Sequence, residues 1–128
     1  MQLYRESNRS GGIPILFEWP RVCRYWRKPK VNKFIRKQKL MMAKFDGCAY
    51  GLRSCLKGEE DKFLKKPWLI ATNIPTVAKT LDGKLCPGVS PNHTHGVTCG
   101  KNAKHSQQYT VEFAKEVHHA IADYFTQC

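Results

Sequence analysis

Ile13-Pro14-Ile15-Leu16-Phe17, then Pro29 through Gln38, then Leu40-Met41-Met42-Ala43-Lys44-Phe45 are the stretches whose reading decides the fold. The first is a continuous apolar run with β-branched residues, which predicts a short buried strand ending at Glu18-Trp19-Pro20. Pro29 suits the first turn of a helix, and Val31, Phe34, Ile35 and Gln38 keep a spacing of three to four while Lys33, Arg36, Lys37 and Lys39 point elsewhere. That is a basic amphipathic helix of about three turns. Leu40 to Phe45 reads as the next strand and Asp46-Gly47 as the turn after it. The intervening length accommodates a helical crossover, so the two strands are expected to be parallel, joined by a right-handed connection into a βαβ unit.

Beyond this unit, Leu52 to Leu56 and Trp68 to Ala71 flank the charged run Lys57-Gly58-Glu59-Glu60-Asp61-Lys62, which predicts a solvated hairpin loop. Thr72-Asn73 before Ile74-Pro75 suits a helix N-terminus, with Val77, Ala78 and Leu81 as its inner face. Asp82 to Gly100 is rich in Pro and Gly and predicts a loop. Thr110 is placed to cap a last helix lined by Phe113, Ala114, Val117, Ile121 and Tyr124 or Phe125. The expectation is an α/β fold: a small sheet with a βαβ unit, a hairpin and a C-terminal helix, with one loop ordered by zinc. At 128 residues it is read as a single domain over residues 1–128, with 1–11 as a flexible lead-in.

The formal net charge of +12 is unevenly spread. Arg21, Arg24, Arg27, Lys28, Lys30, Lys33, Arg36, Lys37, Lys39 and Lys44 fall between Trp19 and Phe45 with no Asp or Glu among them. A one-signed block repels itself unless a polyanion relieves it, so DNA or RNA is the expected partner, with Arg21, Arg24, Arg27, Lys28, Lys30, Lys33, Arg36 and Lys37 as the phosphate-binding set. A solvated face kept for solubility is the plainer alternative. Tyr25 and Trp26 interleave with Arg24 and Arg27, a mixture that single-stranded nucleic acid favours.

No run of apolar residues is long enough for a membrane span. The N-terminus lacks the apolar segment of a secretory signal, which predicts an intracellular protein, cytoplasmic or nuclear. In a reducing compartment the six cysteines are expected to be free, buried or metal-bound rather than paired. Cys86, His93, His95 and Cys99 bring two thiols and two imidazoles into one short segment, and soft N and S donors in that number suit tetrahedral zinc. Cys48, after the turn at a strand end, is the other candidate. The expected ligand set is Cys48, Cys86, His93 and His95, with Cys99 as the alternative; the same residues would also serve as surface histidines and buried thiols.

Glu18 ends an apolar strand, where α/β proteins present functional side chains. A carboxylate there, beside Trp19, suits either a nucleobase edge or a structural pair with the basic block. As an isolated chain an enzyme is not the favoured reading, because no glycine-rich phosphate loop of either common type is present.

Glu18-Trp19-Pro20, Cys48-Ala49-Tyr50-Gly51, Lys66-Pro67-Trp68, Thr72-Asn73, Cys86-Pro87-Gly88 with His93 and His95, and Tyr109-Thr110 resemble an uncharacterised domain of retroelement polyproteins over about residues 11 to 125. The spacing from Cys86-Pro87-Gly88 to His93 is three residues longer here. The chain is also faintly similar to the C-terminal part of phage-type DNA cytosine-5 methyltransferases, which implies that Glu18 matches the glutamate contacting the target cytosine. It departs from them in having Trp19 in place of Asn, and in lacking the Pro-Cys nucleophile and the cofactor loop. The resemblance therefore implies an enzyme fragment that needs a partner chain, with no S-adenosylmethionine site of its own.

Overall fold

The computed structural model describes residues 13–98 and 100–126. The lead-in expected over residues 1–11 lies outside the described residues, as do Cys99 and Cys128. Along the chain come strand β1 (Leu16–Pro20), a 3-10 turn (Arg24–Arg27), helix α1 (Pro29–Lys37) and strand β2 (Met41–Asp46). A second 3-10 turn (Gly47–Tyr50), strand β3 (Pro67–Thr72) and helices α2 (Pro75–Leu81), α3 (Lys101–His105) and α4 (Val111–Thr126) follow. The fold is α/β, with a three-stranded sheet and a C-terminal helix, as expected.

The sheet order is β1-β3-β2, and β3 pairs antiparallel with both neighbours. β1 and β2 therefore run in the same direction with a helix between them, as the crossover predicts, but they do not pair; β3 is inserted between them. The reason lies in composition. Trp68, Ile70, Ala71 and Thr72 are all buried in β3, whereas β1 carries Glu18 and the β2 residues Met41, Met42 and Lys44 are exposed. The most apolar strand takes the centre, and Pro20, which lacks an N–H, is tolerated at the end of an edge strand.

β1 starts later than the apolar run suggests. Ile13 to Ile15 are held by side chains: Asn73 Nδ2 donates to the Ile13 carbonyl (2.7 Å), Ile15 N–H donates to Asn73 Oδ1 (2.8 Å), and Thr72 Oγ1 donates to the Ile15 carbonyl (2.7 Å). Thr72-Asn73 thus tie the start of the described chain to the end of β3. The capping residue of α2 is Ile74, with no side-chain cap of its own.

The hairpin is smaller than predicted. Leu52 to Ser54 pair with Lys62 to Leu64 through the Leu64 N–H to Leu52 carbonyl (2.8 Å) and Ser54 N–H to Lys62 carbonyl (2.9 Å) bonds, closing the charged loop between them. Trp68 to Ala71 belong to β3 instead.

Ala43, Phe45, Trp68 and Ile70 form the inner face of the sheet and pack against Val77 and Leu81 of α2 and Phe113 and Ala120 of α4. Phe45 sits among the rings of Tyr50, Trp68 and Phe113 at centroid distances of 5.1 to 5.9 Å. Thr110 caps α4 as expected, its Oγ1 accepting from Phe113 N–H at 3.1 Å. Val117, Ile121 and Tyr124 pack against this core as expected, whereas Ala114, and Phe125 as the alternative to Tyr124, are exposed. Among the described residues no helix is long and apolar enough to cross a membrane.

Candidate functional site

Three separate pieces of chain meet at the end of β2. Cys48 lies on the 3-10 turn that follows it. The turn is tight because Gly47 N–H reaches the carbonyls of Lys65 (3.1 Å) and Lys66 (2.9 Å), and a Cβ on Gly47 would lie 2.7 Å from Leu52 Cδ2. After α2 the chain returns beside β2, with Gly83 N–H on the Lys44 carbonyl (3.0 Å) and Asp46 N–H on the Lys84 carbonyl (2.9 Å), which delivers Cys86. The third piece is pinned to Phe63, whose N–H donates to the Thr94 carbonyl (2.7 Å) and whose carbonyl accepts from Gly96 N–H (2.8 Å). His93 and His95, two apart on this extended segment, project to one side.

Cys86 Sγ lies 3.6 Å from His93 Nε2 and 3.4 Å from His95 Nε2. The ligand atoms of Cys48, Cys86, His93 and His95 all lie within 4.8 Å of one another, close enough to hold a metal ion. These are the four residues anticipated from the sequence. Cys99, the alternative, lies outside the described residues. Burial, then the neighbouring Cys86 sulfur, pushes the Cys48 thiol up to about 12. A cation placed among the donors would supply the charge that makes the thiolate favourable. His95 is held below its ordinary value, by burial first and then by His93 and Lys65, which favours the neutral imidazole a metal requires.

A buried carboxylate organises this cluster. Asp46 Oδ2 accepts Cys86 N–H at 2.8 Å, and Oδ1 accepts Arg21 Nη2 at 3.1 Å. The His93 ring stacks on Phe63 at 4.4 Å, and the Arg53 guanidinium lies over the Phe63 ring. Fully buried Asn102 ties down the rest of the loop, accepting from Ser54 Oγ (3.1 Å) and Cys55 N–H (2.9 Å) and donating to the Val97 carbonyl (3.0 Å). Neither role was visible in the sequence, where Asp46 reads as a turn residue and Asn102 carries no signal of its own.

The basic block divides in two. Arg21 turns inward: besides Asp46, its Nη2 donates to the carbonyls of Phe45 (2.9 Å) and Trp68 (3.3 Å). Of the residues expected to bind phosphate, Arg21 is thus engaged within the fold. Arg24, Arg27, Lys28, Lys30, Lys33, Arg36 and Lys37 are exposed on the first 3-10 turn and α1. Among the described residues none of these seven forms an ion pair.

Glu18 is not paired with that block. Side chains alternate along β1, so Glu18 faces α4 while Trp19 faces the opposite side with α1. The carboxylate and the indole do not share a site. Tyr109 donates its hydroxyl proton to Glu18 Oε1 at 2.5 Å, and Oε2 is buried without a hydrogen-bond partner. Burial raises the Glu18 carboxyl above its ordinary value, opposed by the Tyr109 bond and by Lys66. Burial and the same bond keep the Tyr109 proton in place. Glu18 lines a cavity of about 300 Å³ with Pro20, Lys66, Trp68, Ser106, Gln107 and Tyr109. His118 and His119 are exposed on α4.

No protein-family model, curated protein or solved structure matches the chain.

Proposed function

We propose that the chain is a nucleic-acid-binding α/β domain of mobile-element type, docking the phosphates of DNA or RNA through a basic face while zinc holds its long loop. The observation that carries the reading is the set of seven exposed cations on the 3-10 turn and α1, with no acid among them and no ion pair to a described residue. A polyanion neutralises such a face with release of counterions, which an ordinary mixed surface does not offer.

Zinc is the ion the donor set favours, two sulfurs and two imidazole nitrogens. A tetrahedral zinc with ordinary bond lengths puts a sulfur and a nitrogen about 3.5 Å apart. The two Cys86 to histidine separations, 3.6 and 3.4 Å, agree with that edge. Four protein ligands leave no position for water, so the role is structural. A nucleic-acid partner and reduced thiols both suit an intracellular place of action, in cytoplasm or nucleus, and a setting within a larger polyprotein.

The test is the salt dependence of binding to a random oligonucleotide. With about six phosphates neutralised, affinity falls on the order of a thousand-fold between 50 and 200 mM salt. Binding that is absent at low salt, or flat across that range, overturns the proposal.

One observation favours a second reading. The Glu18–Tyr109 pair, with an unpartnered buried oxygen beside a cavity, suits a methyltransferase-related or metal-dependent enzyme fragment completed by a partner chain. Loss of activity in the assembled complex on Glu18→Ala, with the fold retained, would favour it over binding alone.

A further inference from the structure

The sheet has two unlike faces. The inner one is covered by α2 and α4. The register aligns Phe17 with Ala71 and Met42, and Trp19 with Leu69 and Lys44, so these side chains share the outer face. At its β1 edge, Phe17, Trp19, Lys30, Val31 and Phe34 line an open groove of about 420 Å³, within the range of small-ligand sites.

The aromatic wall of this groove is braced from behind. Trp26 stacks on Phe17 at 5.6 Å and 18°, and its Nε1 donates to the Pro20 carbonyl at 3.0 Å. Trp19 meets both rings edge-on, at 5.2 Å to Phe17 and 4.9 Å to Trp26. Asn32 Nδ2 donates to the Trp26 carbonyl at 3.1 Å and fixes α1 against the turn. Rings held in this way lose little freedom when a flat ligand settles on them. Phe34 stays 41% exposed, so the groove offers at least one ring that is open to a visitor.

The charge around the groove restricts the occupant. Lys30 is part of the lining, Lys44 lies on the same sheet face, and the remaining cations of α1 continue from Lys30 with no acid between them. A purely apolar partner gains nothing from those cations. A duplex gains from them but keeps its bases stacked inside, out of reach of an apolar groove. An unpaired strand offers both a π-face and a phosphate at each nucleotide.

We propose that the Phe17–Trp19–Phe34 groove takes unpaired nucleobases, making the domain selective for single-stranded nucleic acid whose phosphates lie on Lys30 and the cations of α1. The selectivity rests on the basic-face reading above and adds the strand class to it.

The test uses the full chain at one fixed salt concentration with four probes. These are a single-stranded thymidine oligonucleotide, its duplex, an abasic sugar-phosphate strand of equal length, and an acidic peptide carrying phenylalanine. The single strand is expected to bind at least about ten-fold tighter than the duplex and the abasic strand. Phe34→Ala removes an exposed ring, and is expected to weaken only the single strand, by about five-fold or more, with Phe34→Tyr restoring it. Unchanged thermal melting of these variants, or the Tyr rescue alone, separates lost stacking from lost fold.

Equal binding of strand, duplex and abasic probe overturns the groove proposal and leaves the phosphate reading standing. No binding of any nucleic-acid probe overturns both. Tighter binding of the peptide, displacing the strand, reassigns the groove to a protein partner and also overturns the proposal.

Discussion

The two regions where this chain concentrates chemistry are built on opposite plans. Around the end of β2, polar groups converge: Cys48, Cys86, His93 and His95 face one another, and Asp46 is satisfied by Arg21 and Cys86. Along the first 3-10 turn and α1 they diverge, and seven cations are exposed with no ion pair to a described residue. Groups that answer one another hold a fold together, whereas like charges left facing water await something from outside. The difference is what supports the proposals that the histidines and cysteines serve structure and the lysines and arginines recognition, although both were candidate functional residues.

Removing a ligand should produce the largest effect and attack the convergent region alone. Cys86→Ser is expected to abolish one-to-one zinc content and to lower Tm by more than about 10 °C, because structural zinc contributes on the order of 10 kcal/mol where folding depends on it. Metal analysis and thermal melting measure this. Acid should act in the same direction, since protons compete for the thiolates and imidazoles; zinc retention is expected above neutrality and lost as pH falls.

Asp46 ties the convergent region to the chain just after β1, being bonded to Arg21 and to the backbone of Cys86. Asp46→Ala should cost about 2 kcal/mol in denaturant unfolding, below the roughly 3 to 5 kcal/mol of a fully buried broken pair because Arg21 is partly exposed. It should also weaken zinc retention. A variant as stable as the parent, with zinc unchanged, would mean that Asp46 does not organise the cluster.

Glu18 tests whether a third region behaves as either. Its folded-state carboxyl is raised, so the folded chain binds more protons than the unfolded one between the ordinary carboxylate value and the raised one. Stability contributed through Glu18 therefore falls as pH rises across that window. Glu18→Gln keeps an oxygen for Tyr109 and removes the buried charge, so its Tm at pH 7 is expected to equal or exceed the parent's, with the advantage shrinking toward pH 4. A markedly lower Tm at pH 7 would show the charge itself to be stabilising.

The smallest effect on the fold is expected in the divergent region. Lys30→Gln with Lys33→Gln should leave Tm and zinc content unchanged while lowering the salt slope of single-strand binding by about 0.7 for each phosphate that is no longer neutralised. Salt titrations of the paired variant measure it.

Much of this arrangement was legible in advance where one local rule suffices. Pro29 and the spacing of Val31, Phe34 and Ile35 are enough for α1, and Thr110 for the start of α4. The four candidate ligands followed from donor chemistry, and Cys48 from the expectation that a ligand loop would fold back on a strand end. What escaped depends on distant pairing. Nothing near Trp68 says that β3 will enter between β1 and β2, because strand order is settled by which strand buries most. Arg21 looks like its neighbours until Asp46 is brought beside it, and Asn102 carries no signal until the backbone of Cys55 and Val97 meets it. Glu18 and Trp19 are adjacent in sequence and for that reason on opposite faces, which a reading of them as one site overlooked.

Photo-crosslinking of a bound single-stranded oligonucleotide, with the attachment sites read by mass spectrometry, tests the division of labour most directly. The account predicts crosslinks confined to Phe17, Trp19 and the segment from Arg24 to Lys37, with none on the loop from Cys86 to His95. Crosslinks concentrated on that loop or at Glu18 and Tyr109, with the helix untouched, would contradict it.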